Sequence, residues 1–163
     1  MSYLHEHQDE RFDPSRLLPG ARSVIVVGLN YGPAEAPTPE SFRVAGYARG
    51  EDYHRVLRRL LRALRTRLVA EYGGLAARIC VDTRPFPDKY WAVEAGLGWQ
   101  GKHTNVVSRE SGSYLLIGSL IVNRTCDSYD QPHADFCGTC DACLTVCPTA
   151  AFPQPYVLDA GRC

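Results

Sequence analysis

Residues 23–31 read S-V-I-V-V-G-L-N-Y, a β-branched apolar run between a Pro-Gly turn and Gly32-Pro33. Such a run is read as a strand buried in a sheet. From Asp52 the period changes: Val56, Leu57, Leu60, Leu61, Leu64, Leu68 and Val69 recur at three and four positions, the stripe of an amphipathic helix. Asp52 is its N-cap and Gly73-Gly74 its end. A-R-I-C-V at 77–81 and Y-L-L-I-G-S-L-I-V at 114–122 return to strand character, and residues 88–95 suit a short helix. This alternation predicts an α/β domain with a mixed sheet and flanking helices. Residues 32–40 hold three prolines, which denies a helix and predicts a surface loop.

The composition suits one core of ordinary size with a small appendage: 163 residues, 45% hydrophobic and 22% charged. With 18 basic and 18 acidic residues there is no overall field toward nucleic acid or membrane, so any such partner is met by a local patch. The start, M-S-Y-L-H-E-H-Q-D-E, lacks the basic and apolar regions of a signal peptide. No apolar run is long enough to span a bilayer. The expectation is a cytoplasmic monomer without membrane contact.

Seven cysteines, mostly clustered, favour metal ligation over disulfides in a reducing compartment. The cluster reads C-G-T-C-D-A-C-L-T-V-C-P from Cys137 to Pro148, the C-x2-C-x2-C-x3-C-P spacing of bacterial-type ferredoxins, whose thiolates hold 4Fe-4S clusters. Cys137, Cys140 and Cys143 can wrap one cluster through a tight loop, and Cys147 is expected to begin a short helix. A zinc knuckle is the alternative, although zinc sites usually pair two separated hooks. Cys163 is the remaining later cysteine. Five thiolates fall short of the eight or so that two four-iron clusters require, so the chain is expected to be a fragment ending in a truncated ferredoxin-like 4Fe-4S module. The expected division is 1–128 for the α/β domain and 129–163 for the module. Cys80 and Cys126 are expected to be plain packed thiols.

Three further features carry chemistry. Asp82 follows the second strand, where open α/β sheets place ligands, although an aspartate there can equally cap a turn. The loop G-L-G-W-Q-G-K-H-T-N, residues 96–105, combines three glycines with Lys102, His103, Thr104 and Asn105, which brings backbone close to a ligand and surrounds it with donors. The helix carries Arg55, Arg58, Arg59, Arg62, Arg65 and Arg67 with no acidic residue between Asp52 and Glu71. That face is either solvated or suited to a phosphate backbone.

Taken in order, L-L-P-G-A-R-S-V-I-V-V-G-L-N-Y, Y-A-R-G-E-D-Y-H, V-D-T-R-P, A-G-L-G-W-Q-G-K-H-T-N, the cysteine run and P-Y-V-L-D-A-G-R-C resemble the epoxyqueuosine reductase family. The resemblance implies reduction of epoxyqueuosine to queuosine at the wobble position of tRNA, with electrons passing from a donor through two 4Fe-4S clusters to cobalamin. It implies Asp82 as proton donor, Asp52, Tyr53 and His54 at the active site, and Lys102, His103, Thr104 and Asn105 with Asp82 lining the cobalamin. It assigns Cys137, Cys140 and Cys143 to one cluster and Cys147 and Cys163 to the other; Arg58, Arg62 and Arg65 are the candidate tRNA contacts. The chain departs from the family at Arg84, Phe86, Pro87 and Asp88, where an apolar pair and a glutamate are usual, and at Val93. A ferredoxin-like electron carrier without its own catalytic site is the alternative, as is a zinc-stabilised RNA-binding module using the arginine helix.

Overall fold

The computed structural model describes residues 8–32 and 44–163. The proline-rich loop expected at 32–40 lies outside them except for Gly32. In chain order the elements are α1 (Gln8–Phe12), β1 (Ser23–Asn30), α2 (Tyr53–Glu71), β2 (Ala77–Cys80), α3 (Asp88–Glu94), β3 (Trp99–Gln100), β4 (Val106–Val107), β5 (Leu115–Val122) and α4 (Ala142–Thr145), with short 3-10 turns at Pro14–Arg16 and Gly46–Ala48.

The α/β class holds, with one correction. The main sheet has order β1-β5-β2, and both pairings to β5 are antiparallel, not mixed. β1 and β2 run the same way, but β5 separates them, so no parallel pair forms among the described residues. β5 is the central strand, buried from Gly118 to Val122, whereas β1 is an edge strand with only Ser23 fully buried. An apolar β-branched run does not by itself separate the two positions.

Alternation along β5 builds two cores. Leu120 and Val122 join Leu57 and Leu61 of α2 and Val81 on one face. Ile121 joins Cys80 and Phe86 on the other, beneath Leu17, Leu18, Val24 and Trp91. Gly118 lies on the α2 side, where a Cβ would stand 3.0 Å from the Leu61 side chain; its missing side chain lets α2 settle onto the sheet. Cys80 is the packed thiol expected, while Cys126 is exposed.

The helix cap is as expected: the Asp52 carboxylate accepts the His54 amide at the start of α2. Around the cysteines, the helical turn is Ala142–Thr145, so Cys143 lies inside it and Cys147 follows it. Asp141 starts that turn, its carbonyl accepting the Leu144 and Thr145 amides, which displaces the helix expected at Cys147.

Candidate active site

The end of β2 and the start of α2 meet at Asp82. Asp82 has φ of +53°, a left-handed backbone that aspartate tolerates at a cost of about 1 kcal/mol, and its side chain projects from the sheet, 68% exposed. Two side chains partner it. Tyr53 Oη donates to Asp82 Oδ2 at 3.0 Å, and His54 Nε2 lies 3.3 Å from the same oxygen. The two rings stack with centroids 4.0 Å apart.

Asp52 serves this site as well as the helix. Its Oδ1, the capping atom, also accepts a hydrogen bond from His54 Nδ1–H at 2.8 Å, which fixes the ring and turns Nε2 toward Asp82. A carboxylate and an unprotonated Nε2 cannot hydrogen-bond, so the Asp82–His54 contact requires a proton on one of them. Burial, followed by the hydrogen bond to Asp82, pushes the Tyr53 hydroxyl up to about 12. It is a donor throughout the neutral range.

A second layer lies behind Asp82. The Asp82 amide donates to Asp88 Oδ2 at 3.2 Å, and burial pushes the Asp88 carboxyl up to about 6. Lys89 donates to Asn105 Oδ1 at 2.6 Å; burial lowers its pKa while the Asp82 charge pulls it back up. The Asp82 charge thus acts on a lysine that is bonded to the 101–105 loop, a connection the sequence reading missed. In that loop the Asn105 amide donates to His103 Nδ1 at 3.3 Å, leaving Nε2–H to donate to Ser113 Oγ at 2.8 Å. Burial, aided by Lys89, lowers the His103 pKa, in keeping with this neutral form. Thr104 is left-handed at φ +68°.

Lys102 reaches across to the cysteine segment. Its ammonium donates to the carbonyls of Gly138 and Cys140 at 2.7 and 2.8 Å, fastening the cysteine loop to the α/β body. The same seam holds Trp99 edge-on to Phe136 and Arg109 over the Phe136 ring, and the Tyr156 hydroxyl donates to Asp135. With Lys102 so engaged, the loop offers amide and hydroxyl groups rather than a free cation, which suits the neutral amide arms of a corrin.

Cys137, Cys140, Cys143, Cys147 and Cys163 are free thiols. Two sulfurs receive N–H groups: Trp99 Nε1 at 3.4 Å from Cys137, and the Ala151 amide at 3.4 Å from Cys147. That amide, with Thr149, holds the Cys147 pKa below its ordinary value. Donor type and N–H···S contacts fit thiolate ligands of iron, although among the described residues no three candidate ligands converge as a metal-holding group.

The arginine face is partly spoken for. Arg58 donates to Thr83 Oγ1 at 2.7 Å, while Glu51, just ahead of α2, pairs with Arg59 at 3.3 Å and Arg55 at 3.8 Å. Arg62, Arg65 and Arg67 are exposed. No helix among the described residues is long and apolar enough to cross a membrane.

The family described as Epoxyqueuosine reductase QueG, DUF1730 matches residues 11–83. The chain is 43% identical over all its 163 residues to an epoxyqueuosine reductase of Cellulophaga algicola, covering 53% of that protein. It is 46% identical over 149 residues to one of Synechocystis, covering 90% of this chain and 51% of that relative. The chain thus spans about half the length of these curated relatives. Among solved structures it resembles an epoxyqueuosine reductase with an epoxyqueuosine-modified tRNA-Tyr stem loop, with TM-score 0.88, 34% identity, and coverage of 95% of this chain and 42% of that one. It also resembles the Bacillus subtilis enzyme with an aspartate-bearing catalytic loop swung out of the active site, with TM-score 0.84, 30% identity, and coverage of 96% and 42%.

Proposed function

We propose that this chain, which belongs to the epoxyqueuosine reductase family, carries the active-site part of an enzyme that reduces epoxyqueuosine to queuosine in tRNA. The observation that carries the reading is Asp82, held on a left-handed turn beyond β2 with Tyr53 and His54 on one carboxylate oxygen. An electron carrier or a zinc-stabilised RNA module would have no use for that grouping.

Removing an epoxide oxygen to leave an alkene consumes two electrons and two protons and releases water. When bound, cobalamin and the 4Fe-4S clusters would supply the electrons, drawn from an external donor. The chain's own task is the protons. Asp82, projecting from the sheet, gives a proton to the leaving oxygen as the C–O bond breaks, and Tyr53 steadies the carboxylate that results. His54, oriented by Asp52, reloads Asp82 across the 3.3 Å contact. The polar rim of His103, Thr104 and Asn105 would face the cobalamin, while Lys102 sets the cysteine segment against this domain. Cys137, Cys140 and Cys143 would bind one cluster, and Cys147 and Cys163 would contribute to a second, in a 129–163 segment that follows a 1–128 domain. A tRNA substrate places the reaction in the cytoplasm. The test is Asp82→Asn in the complete enzyme, with binding and turnover measured separately.

A further inference from the structure

We propose that Asp88 is a positioning residue whose carboxylate latches the Asp82 loop in its working conformation. Asp88 does not face the reacting groups. Its Oδ2 accepts the backbone amide of Asp82 across 3.2 Å, and that amide belongs to the one residue of the 81–88 segment with a left-handed backbone. A backbone held in that region needs an outside tie. The ladder of β2 ends at Cys80; beyond it the Thr83 amide closes the turn on the Val81 carbonyl, and the bond to Asp88 is the tie that the Asp82 amide itself makes to the helix that follows.

The remainder of the carboxyl explains why a lesser group would not do for structure alone. Asp88 Oδ1 is buried and has no hydrogen-bond partner among the described residues, an arrangement that normally costs stability. The charged or titratable groups acting on it are Asp82 from the loop and Arg11 from α1, and Asp88 in turn bears on Cys80 of β2. Arg11 does not form an ion pair with it at bonding distance. A residue kept at this cost, with one oxygen spent on the amide of the acid-bearing turn, serves the turn. The inference rests on Asp82 being the proton donor.

The test uses the complete, cofactor-loaded enzyme and an epoxyqueuosine-containing tRNA stem loop. Asp88→Ala removes the acceptor and should lower kcat about tenfold, the worth of one such hydrogen bond, with KM for the stem loop unchanged. Asp88→Asn keeps an acceptor oxygen at the same reach and should restore most of that loss. Hydrogen exchange in the 81–87 peptide should quicken in Asp88→Ala and not in Asp88→Asn. If Asp88→Ala does not fold, Asp88→Leu fills the same space without an acceptor and takes its place. Asp82→Asn is the control: if it is inactive while Asp88→Ala turns over normally, or if Asp88→Asn is as impaired as Asp88→Ala, the latch is wrong and the Asp82 reading stands. If Asp82→Asn is itself fully active, it is the Asp82 reading that fails.

Discussion

Tyr53 Oη and Asp82 Oδ2 are 3.0 Å apart, which ties the first turn of α2 to the end of β2 at one carboxylate oxygen. With its pKa at about 12, the Tyr53 hydroxyl stays protonated through any ordinary assay. Tyr53→Phe should therefore lower turnover by about tenfold, the worth of a hydrogen bond to a charged group at the low end, without altering the alkaline side of the pH–rate profile. Loss of an alkaline limb in Tyr53→Phe would show that the phenol itself titrates in catalysis.

Asp88 makes a stability prediction independent of catalysis. Burial pushes its carboxyl from the ordinary 3.8 up to about 6 in the fold. A raised acid costs nothing below the lower value, and the cost grows as pH climbs through the higher one. Between pH 5 and pH 7 the wild type should lose on the order of 1 kcal/mol relative to Asp88→Asn, measured by denaturant unfolding at each pH. A difference that stays flat with pH would remove the buried charge from the account.

The seam at Lys102 predicts a separable defect. Lys102→Met keeps the aliphatic stem but leaves the Gly138 and Cys140 carbonyls without their donor. In the complete enzyme, iron should be lost to a chelator several-fold faster, while affinity for the tRNA stem loop is unchanged. Equal iron retention with weakened cobalamin binding would return Lys102 to the cofactor-lining role that the sequence resemblance implied.

The arginine face predicts a salt effect, with the residues chosen by their contacts. Arg58 is tied to Thr83 beside the site, so reversing it would disturb the Asp82 loop as well. Arg62→Glu with Arg65→Glu avoids that. If these arginines meet phosphates, each lost contact should reduce the log–log salt slope of tRNA binding by about 0.7–0.9. An unchanged slope would make the face simply solvated.

Much of this was legible in the sequence, for physical reasons that also mark where legibility stopped. The shift from strand to helical period placed β1, α2, β2, α3 and β5 within a residue or two, and the Asp52 cap followed from residue type. That His54, held by Asp52, meets Asp82 was not legible, because it depends on β2 ending beside the first turn of α2. Edge and centre of the sheet were not separable either, since β1 and β5 are similarly apolar and only pairing order distinguishes them. Lys102 read as a loop donor because its partners, two carbonyls 36 and 38 residues on, are set by tertiary docking. Asp88 read as an ordinary helix start; the available hint was an acid directly after Pro87, a residue with no side-chain group to cap the helix.

The central claim is that Asp82 is the proton donor, and single-turnover kinetics of Asp82→Asn in the complete enzyme test it most directly. Cobalamin and the epoxyqueuosine stem loop should bind with wild-type affinity, while the rate of queuosine formation falls on the order of 10²-fold or more, the contribution of a positioned general acid. Near-full turnover accompanied by loss of cobalamin would contradict it, making Asp82 a binding residue and leaving His54 or Tyr53 to supply the proton.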